Sequence, residues 1–199
     1  MTALLLGRTL FAVDTETTGM DPVMGARLVE VARVAVVDGV LGEGWSSLID
    51  PGVRIPPDAT RVHGITDAMV AGQPRAAEVG ALLRDALGDT PLVFHNAPFD
   101  LPFLQHLFRE ARVPALTNPV VDTLGLARGL FSTGGNALGG LTTKLGLPTE
   151  PAHRALGDTR MTARLFLALA ERWERDKGVR SIEELAAVSV DVMRATARR

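Results

Sequence analysis

Near the start of the chain two carboxylates close a short apolar run. In FAVDTETTG, residues 11–19, Asp14 and Glu16 follow Phe11, Ala12 and Val13 and precede a break at Thr17, Thr18 and Gly19. Side chains two apart on a strand share a face, so the two acids stand side by side at a strand end. Adjacent carboxylates repel and raise each other's pKa unless a cation lies between them. A divalent ion held by oxygen ligands resolves the repulsion. A charged strand end in water satisfies the same pattern, so this pair alone leaves both readings open.

Three later residues bear on the choice. Asp100 lies in the first turn of a helix that directly follows a buried strand, in HNAPFD. Compensation of the helix N-terminus accounts for it equally well. Asp158 continues an apolar stripe formed by Met161, Leu165 and Leu169 on a long helix. A carboxylate on a core-facing stripe must be paired, neutralised or bound to a metal. His153 precedes Asp158 by five residues, which in an unbroken helix places the side chains about 140° apart. The two share a site only if His153 lies in a loop ahead of the helix, which Pro151 favours; a surface histidine is the alternative. Taken together, four acids and one histidine at strand and helix ends suit two hard cations arranged for in-line phosphoryl displacement. With no thiolate and a single nearby histidine, Mg²⁺ or Mn²⁺ is expected rather than zinc.

Positioning these groups requires strand ends and helix starts at one edge of a sheet. Leu10 to Val13, valine-rich Leu28 to Val37 and Val40 to Ile49 read as three strands, the last two joined by the Asp38-Gly39 hairpin turn. Asp50-Pro51-Gly52 ends the meander, and Pro56-Pro57 is expected to keep the next stretch irregular. Thr66 reads as the cap of a short helix, and Arg75 to Leu87 as a helix stopped by Gly88. Two short strands, Pro91 to His95 and Pro119 to Asp122, each lead into a helix, the first helix opening on Pro98. Ser132 to Asn136 reads as a glycine-bearing loop, Leu138 to Leu145 as a short helix and Arg154 to Lys177 as a long one. Ser181 and Glu184 form a capping-box pattern before a final helix striped by Ile182, Leu185, Val188 and Val192. The expected fold is α/β: a mixed five-stranded sheet, three antiparallel meander strands then two parallel ones, with helices on both faces. Residues 1–178 form the domain and 179–199 a helical extension, packed on it or presenting a dimer or partner surface.

Composition removes several function classes. The 199 residues include no cysteine, which excludes disulfides, thiolate zinc sites and cysteine nucleophiles. A hydrophobic content of 46% supports a real core. The net charge of −2 means that nucleic acid, if bound, needs local basic groups or metals to offset phosphate. No apolar run approaches the roughly 18 residues of a membrane span, so a cytoplasmic protein without a membrane partner is expected.

In order along the chain, FAVDTETTG, RVHGIT, HNAPFD and HRALGD resemble the motifs of the DEDDh 3′–5′ exonucleases, a DnaQ-like family, and most of all the proofreading (epsilon) subunits of bacterial replicative DNA polymerases. The resemblance spans about residues 8–176. It implies a ribonuclease H-like fold and metal binding by Asp14, Glu16 and Asp158, with Asp100 a further ligand. It makes His153 the general base. It places the terminal nucleotide against Thr17, Thr18 and Met20, brings His63 to its phosphate or sugar end, and has Asn96 order the second motif within the substrate-binding set. The implied reaction releases 5′-mononucleotides from single-stranded DNA 3′ ends, in proofreading or repair, with two Mg²⁺ or Mn²⁺ ions. An exoribonuclease on the same scaffold, a catalytically silent nucleic-acid-binding subunit and a related endonuclease stand as alternatives. Residues 178–199 contain no glutamine-led clamp-binding peptide, so a polymerase or sliding-clamp partner and a free-standing role are both open.

Overall fold

The computed structural model describes residues 2–131 and 135–197; of the loop expected at 132–136, residues 132–134 lie outside this set. Three antiparallel strands open the fold: β1 (Thr9–Thr17), β2 (Leu28–Val37) and β3 (Val40–Leu48). Asp38 and Gly39 take φ of 51° and 75° at the β2–β3 turn, the conformation a two-residue hairpin with native twist requires. Next come α1 (Pro57–His63), α2 (Asp67–Val70), α3 (Ala76–Leu87), β4 (Leu92–Phe94), α4 (Ala97–Glu110), β5 (Val120–Asp122) and α5 (Thr123–Leu130). The chain ends with α6 (Leu138–Lys144), α7 (Ala155–Lys177) and α8 (Ile182–Ala197). The sheet order is β3-β2-β1-β4-β5, with β4 parallel to β1 and β5 parallel to β4, the mixed arrangement expected.

Alternation along β1 gives the sheet two apolar faces. Leu10 and Ala12 join Val34, Val36, Leu165, Phe166 and Leu169 in a core beneath α7. Val13 joins Val31, Phe94, Leu83, Phe103, Leu104 and Leu107 in a core beneath α3 and α4. From α8, Ile182 and Leu185 enter the first of these cores. The helix lies close to α5 because Gly125 has no side chain: a Cβ there would stand 2.2 Å from the Ser189 carbonyl oxygen.

Two local expectations change. The double proline does not leave the chain irregular, because Pro57 begins α1, a position where a missing N–H costs nothing. That helix carries His63 in its last turn and closes on Gly64 at φ 73°. Thr66 precedes α2 but makes no side-chain cap; Asp67 instead accepts the Ile55 N–H at 2.9 Å.

Strand length creates the functional edge. Phe11 and Ala12 pair with Leu92 and Val93 of β4, which ends at Phe94, whereas β1 continues to Thr17. Asp14 to Thr17 therefore extend past the end of β4, and the first turns of α4 and α7 reach that opening.

Candidate active site

The same alternation that buries Leu10 and Ala12 under α7 turns Asp14 and Glu16 toward α7 and Thr15 the other way. Asp158 comes from the first turn of α7. His153 lies in the loop ahead of α7, as its spacing from Asp158 required, in the left-handed region at φ 62°. Its backbone N–H donates to Asp158 Oδ2 at 2.8 Å, which ties loop and helix start together. Ligand atoms of Glu16, His153 and Asp158 all lie within 4.8 Å of one another. Asp100, 3% exposed, stands across β1, where the Thr15 hydroxyl donates to its Oδ1 at 2.7 Å.

The acids crowd one another electrostatically. Burial first, then the charges of Asp100, Asp158, Glu16 and Glu30, hold the Asp14 carboxyl well above the usual carboxylate range. Burial, Asp158, Glu30 and Asp100 push Glu16 up to about 8, with Arg154 pulling the other way. Burial lifts Asp100 to about 7 against the hydrogen bonds from Thr15. Asp158 is also raised, by burial before all else, while the His153 N–H draws it down. This donor set fits hard divalent cations: its atoms are almost all carboxylate oxygens, and ionising them in this setting requires added positive charge. Of the expected ligands, Glu16 and Asp158 converge with His153, and Asp14 and Asp100 are joined to them by the mutual repulsion of their carboxyls.

The remaining expected residues have mixed surroundings. Thr17 and Thr18 are buried, and their hydroxyls serve the turn: Thr17 donates to the Gly19 carbonyl at 2.6 Å, and Thr18 accepts the Arg27 N–H at 2.9 Å. Met20 is 80% exposed on the rim of a cleft of about 480 Å³ shared with Thr18, Gly19, Met24 and Arg54. His63 is buried; Nδ1 accepts the Ile65 N–H at 3.0 Å, so the neutral ring carries its proton on Nε2. That Nε2 faces the Thr17 backbone without forming a hydrogen bond of good geometry. Burial lowers the His63 pKa, which keeps the ring neutral. Asn96, exposed at φ 73°, makes no side-chain cap for α4. Its backbone N–H goes to Asp122 Oδ1 at 3.0 Å.

Sequence reasoning missed the groups that hold this edge in shape. Asp122 is buried and accepts the N–H groups of Asn96, Ala97 and Leu124, so one carboxylate caps the starts of both α4 and α5. Glu30 stands opposite Glu16 in the β1–β2 ladder and is gripped by Arg154. The signal for Glu30 was present: it is an acid in the valine-rich run LVEVARVAVV, where a buried charge demands a partner.

Comparison with known proteins agrees with this geometry. The sequence profile of the exonuclease family RNase_T matches residues 11–166. A DNA polymerase III subunit epsilon-like protein of Rhodobacter capsulatus is 45% identical over 167 residues, covering 81% of this chain and 23% of that protein, so the chain spans under a quarter of this relative's length. The DNA polymerase III subunit epsilon of Aquifex aeolicus is 34% identical over 84% of this chain and 83% of its own length. Among solved structures, exonuclease X in complex with 5′-overhanging duplex DNA superposes with a TM-score of 0.73 at 30% identity, covering 90% of this chain and 99% of that one.

Proposed function

The chain belongs to the RNase_T exonuclease family of DnaQ-like 3′–5′ phosphodiester hydrolases, an epsilon-like homologue, and we propose on that footing that it shortens single-stranded DNA from the 3′ end, releasing 5′-mononucleotides in proofreading or repair. The observation that carries the reading is the meeting of Glu16, His153 and Asp158, with ligand atoms within 4.8 Å, in a nest of acids whose ionisation is suppressed. Asp14, Glu16 and Asp158 would hold two Mg²⁺ or Mn²⁺ ions, with Asp100 a further ligand. Bound cations supply charge neutralisation at the phosphate and stabilise the attacking and departing oxygens.

The chain's own groups do the rest. His153 takes the proton of the attacking water, for which an exposed imidazole beside the acids is placed. The Thr15 hydroxyl fixes the Asp100 carboxylate from behind. His63, whose Nε2–H faces the Thr17 backbone without a well-formed hydrogen bond, offers that proton to a phosphate or sugar oxygen of the terminal nucleotide. Thr17 and Thr18 shape the turn that receives this nucleotide, Met20 rests against its base, and Asn96 orders the second motif through its backbone. DNA rather than RNA is supported by the polymerase-subunit relatives and by the exonuclease X complex. Residues 1–178 constitute the exonuclease domain, and of the extension at 179–199 the described residues, 179–197, pack on it through Ile182 and Leu185.

The test is release of mononucleotides from a labelled single strand by Asp14→Ala and His153→Ala variants with Mg²⁺ or Mn²⁺ present. Loss of general-base catalysis alone predicts a fall of about 10²- to 10⁴-fold for His153→Ala at unchanged fold. Full activity in either variant overturns the assignment.

A further inference from the structure

Glu30 is 2% exposed on β2, and its carboxylate is fully engaged by the segment that follows His153. Arg154 forks onto it, Nε to Oε2 at 3.1 Å and Nη2 to Oε1 at 2.8 Å. The Ala155 N–H, the first of α7, donates to Oε2 at 3.0 Å. Residues 154 and 155 are thus fastened to the sheet, and 124 residues separate Glu30 from Arg154 along the chain. On the other side of the same turn, Asp158 takes the His153 N–H. His153 itself is exposed and holds a left-handed backbone that non-glycine residues rarely adopt. A conformation of this kind persists only where its surroundings impose it.

We infer that Glu30 and Arg154 are positioning residues for catalysis, a clamp of a buried carboxylate and a half-exposed guanidinium that fixes the backbone immediately after His153 and so aims its imidazole at the acids; this rests on the exonuclease reading above. The bidentate geometry matters because a planar guanidinium fork sets orientation as well as distance. Glu30 also faces Glu16 directly across the ladder. Like charges placed opposite one another destabilise a strand pair, so the clamp offsets a repulsion that the catalytic acids themselves create.

A purely structural ion pair and a positioning clamp differ in what survives when the fold is restored. Arg154→Ala leaves a buried carboxylate unpaired and lowers Tm. Glu30→Gln combined with Arg154→Met removes both charges, keeps an acceptor for the Ala155 N–H and brings Tm back toward wild type. In that double variant kcat on a labelled single-stranded DNA stays about 10- to 100-fold below wild type while KM hardly moves. Installed on His153→Ala, the same pair of substitutions adds no further loss, because its effect runs through that residue. Recovery of kcat along with Tm, a change in KM alone, or an undiminished effect in the His153→Ala background overturns the clamp. A wild-type protein that releases no nucleotides overturns the exonuclease reading instead.

Discussion

Replacing a catalytic carboxylate should make this protein more stable when divalent ions are withheld. Glu16 shows the effect most clearly. Its carboxyl is pushed from 4.5 to about 8, first by burial and then by Asp158, Glu30 and Asp100. At ~1.4 kcal/mol per unit, the whole displacement sets a ceiling of roughly 5 kcal/mol on the cost of keeping that charge in the folded state. Water entry and relaxation around a partly buried group bring the expected net effect to about 2 kcal/mol. The sign follows from proton linkage. Between pH 4.5 and about 8 the folded chain keeps a proton on Glu16 that the unfolded chain has lost, so stability falls as pH rises through that window. Glutamine holds no titrating proton and escapes the fall. In chelator, Glu16→Gln should therefore melt ~4–8 °C above wild type at pH 8, the shift expected of about 2 kcal/mol in a chain of this size, and close to wild type at pH 5. Adding Mg²⁺ or Mn²⁺ at pH 8 should raise the wild-type Tm and erase the advantage, because cation binding stabilises only the form that retains the carboxylate. Thermal melts at two pH values, with chelator or with ion, measure all of this. Equal Tm values at pH 8 in chelator, or the same advantage at pH 5, would refute the crowded-acid reasoning.

Two other substitutions probe the support of the site. Asp122→Ala removes one acceptor shared by three N–H groups at the starts of α4 and α5; urea denaturation should show a loss of about 2–4 kcal/mol, beyond a single helix cap. Gly125→Ala drives a Cβ to within 2.2 Å of the Ser189 carbonyl oxygen, so proteolysis should detect release of α8, with a destabilisation of roughly 1–3 kcal/mol.

How far the sequence could be read depended on how local each cause was. The meander was legible because Leu28 to Val37 and Val40 to Leu48 carry strand residues on either side of an Asp-Gly turn. The long helix was legible from the Met161, Leu165 and Leu169 stripe, all buried in the structure. The five-residue spacing to Asp158 made a shared site conditional on a loop position for His153, and that position is what the structure shows. The helix at Pro57–His63 was not legible, since a proline pair reads as a break until it is known to occupy a first turn. Thr15, Glu30 and Asp122 were missed for a different reason. Thr15 bonds Asp100 85 residues away, and Asp122 bonds the Asn96 N–H 26 residues away. The local patterns of Thr15 and Asp122 do not name such partners, and that of Glu30 signals a buried charge without saying that Arg154, 124 residues away, holds it. At Ser181 the capping box appears in altered form: the Glu184 N–H goes to the Ser181 hydroxyl, but the Glu184 carboxylate reaches the Arg180 N–H.

The central claim is that acids from β1, α4 and α7 form one cation-dependent hydrolytic centre that works on a DNA 3′ end. A time course on a single-stranded DNA labelled at its 5′ end, with Mn²⁺ and with chelator, tests it most directly. The structure predicts a ladder that shortens one nucleotide at a time from the unlabelled end, abolished by chelator. Immediate release of the labelled 5′ nucleotide, internal cuts, or a ladder that persists in chelator would contradict it.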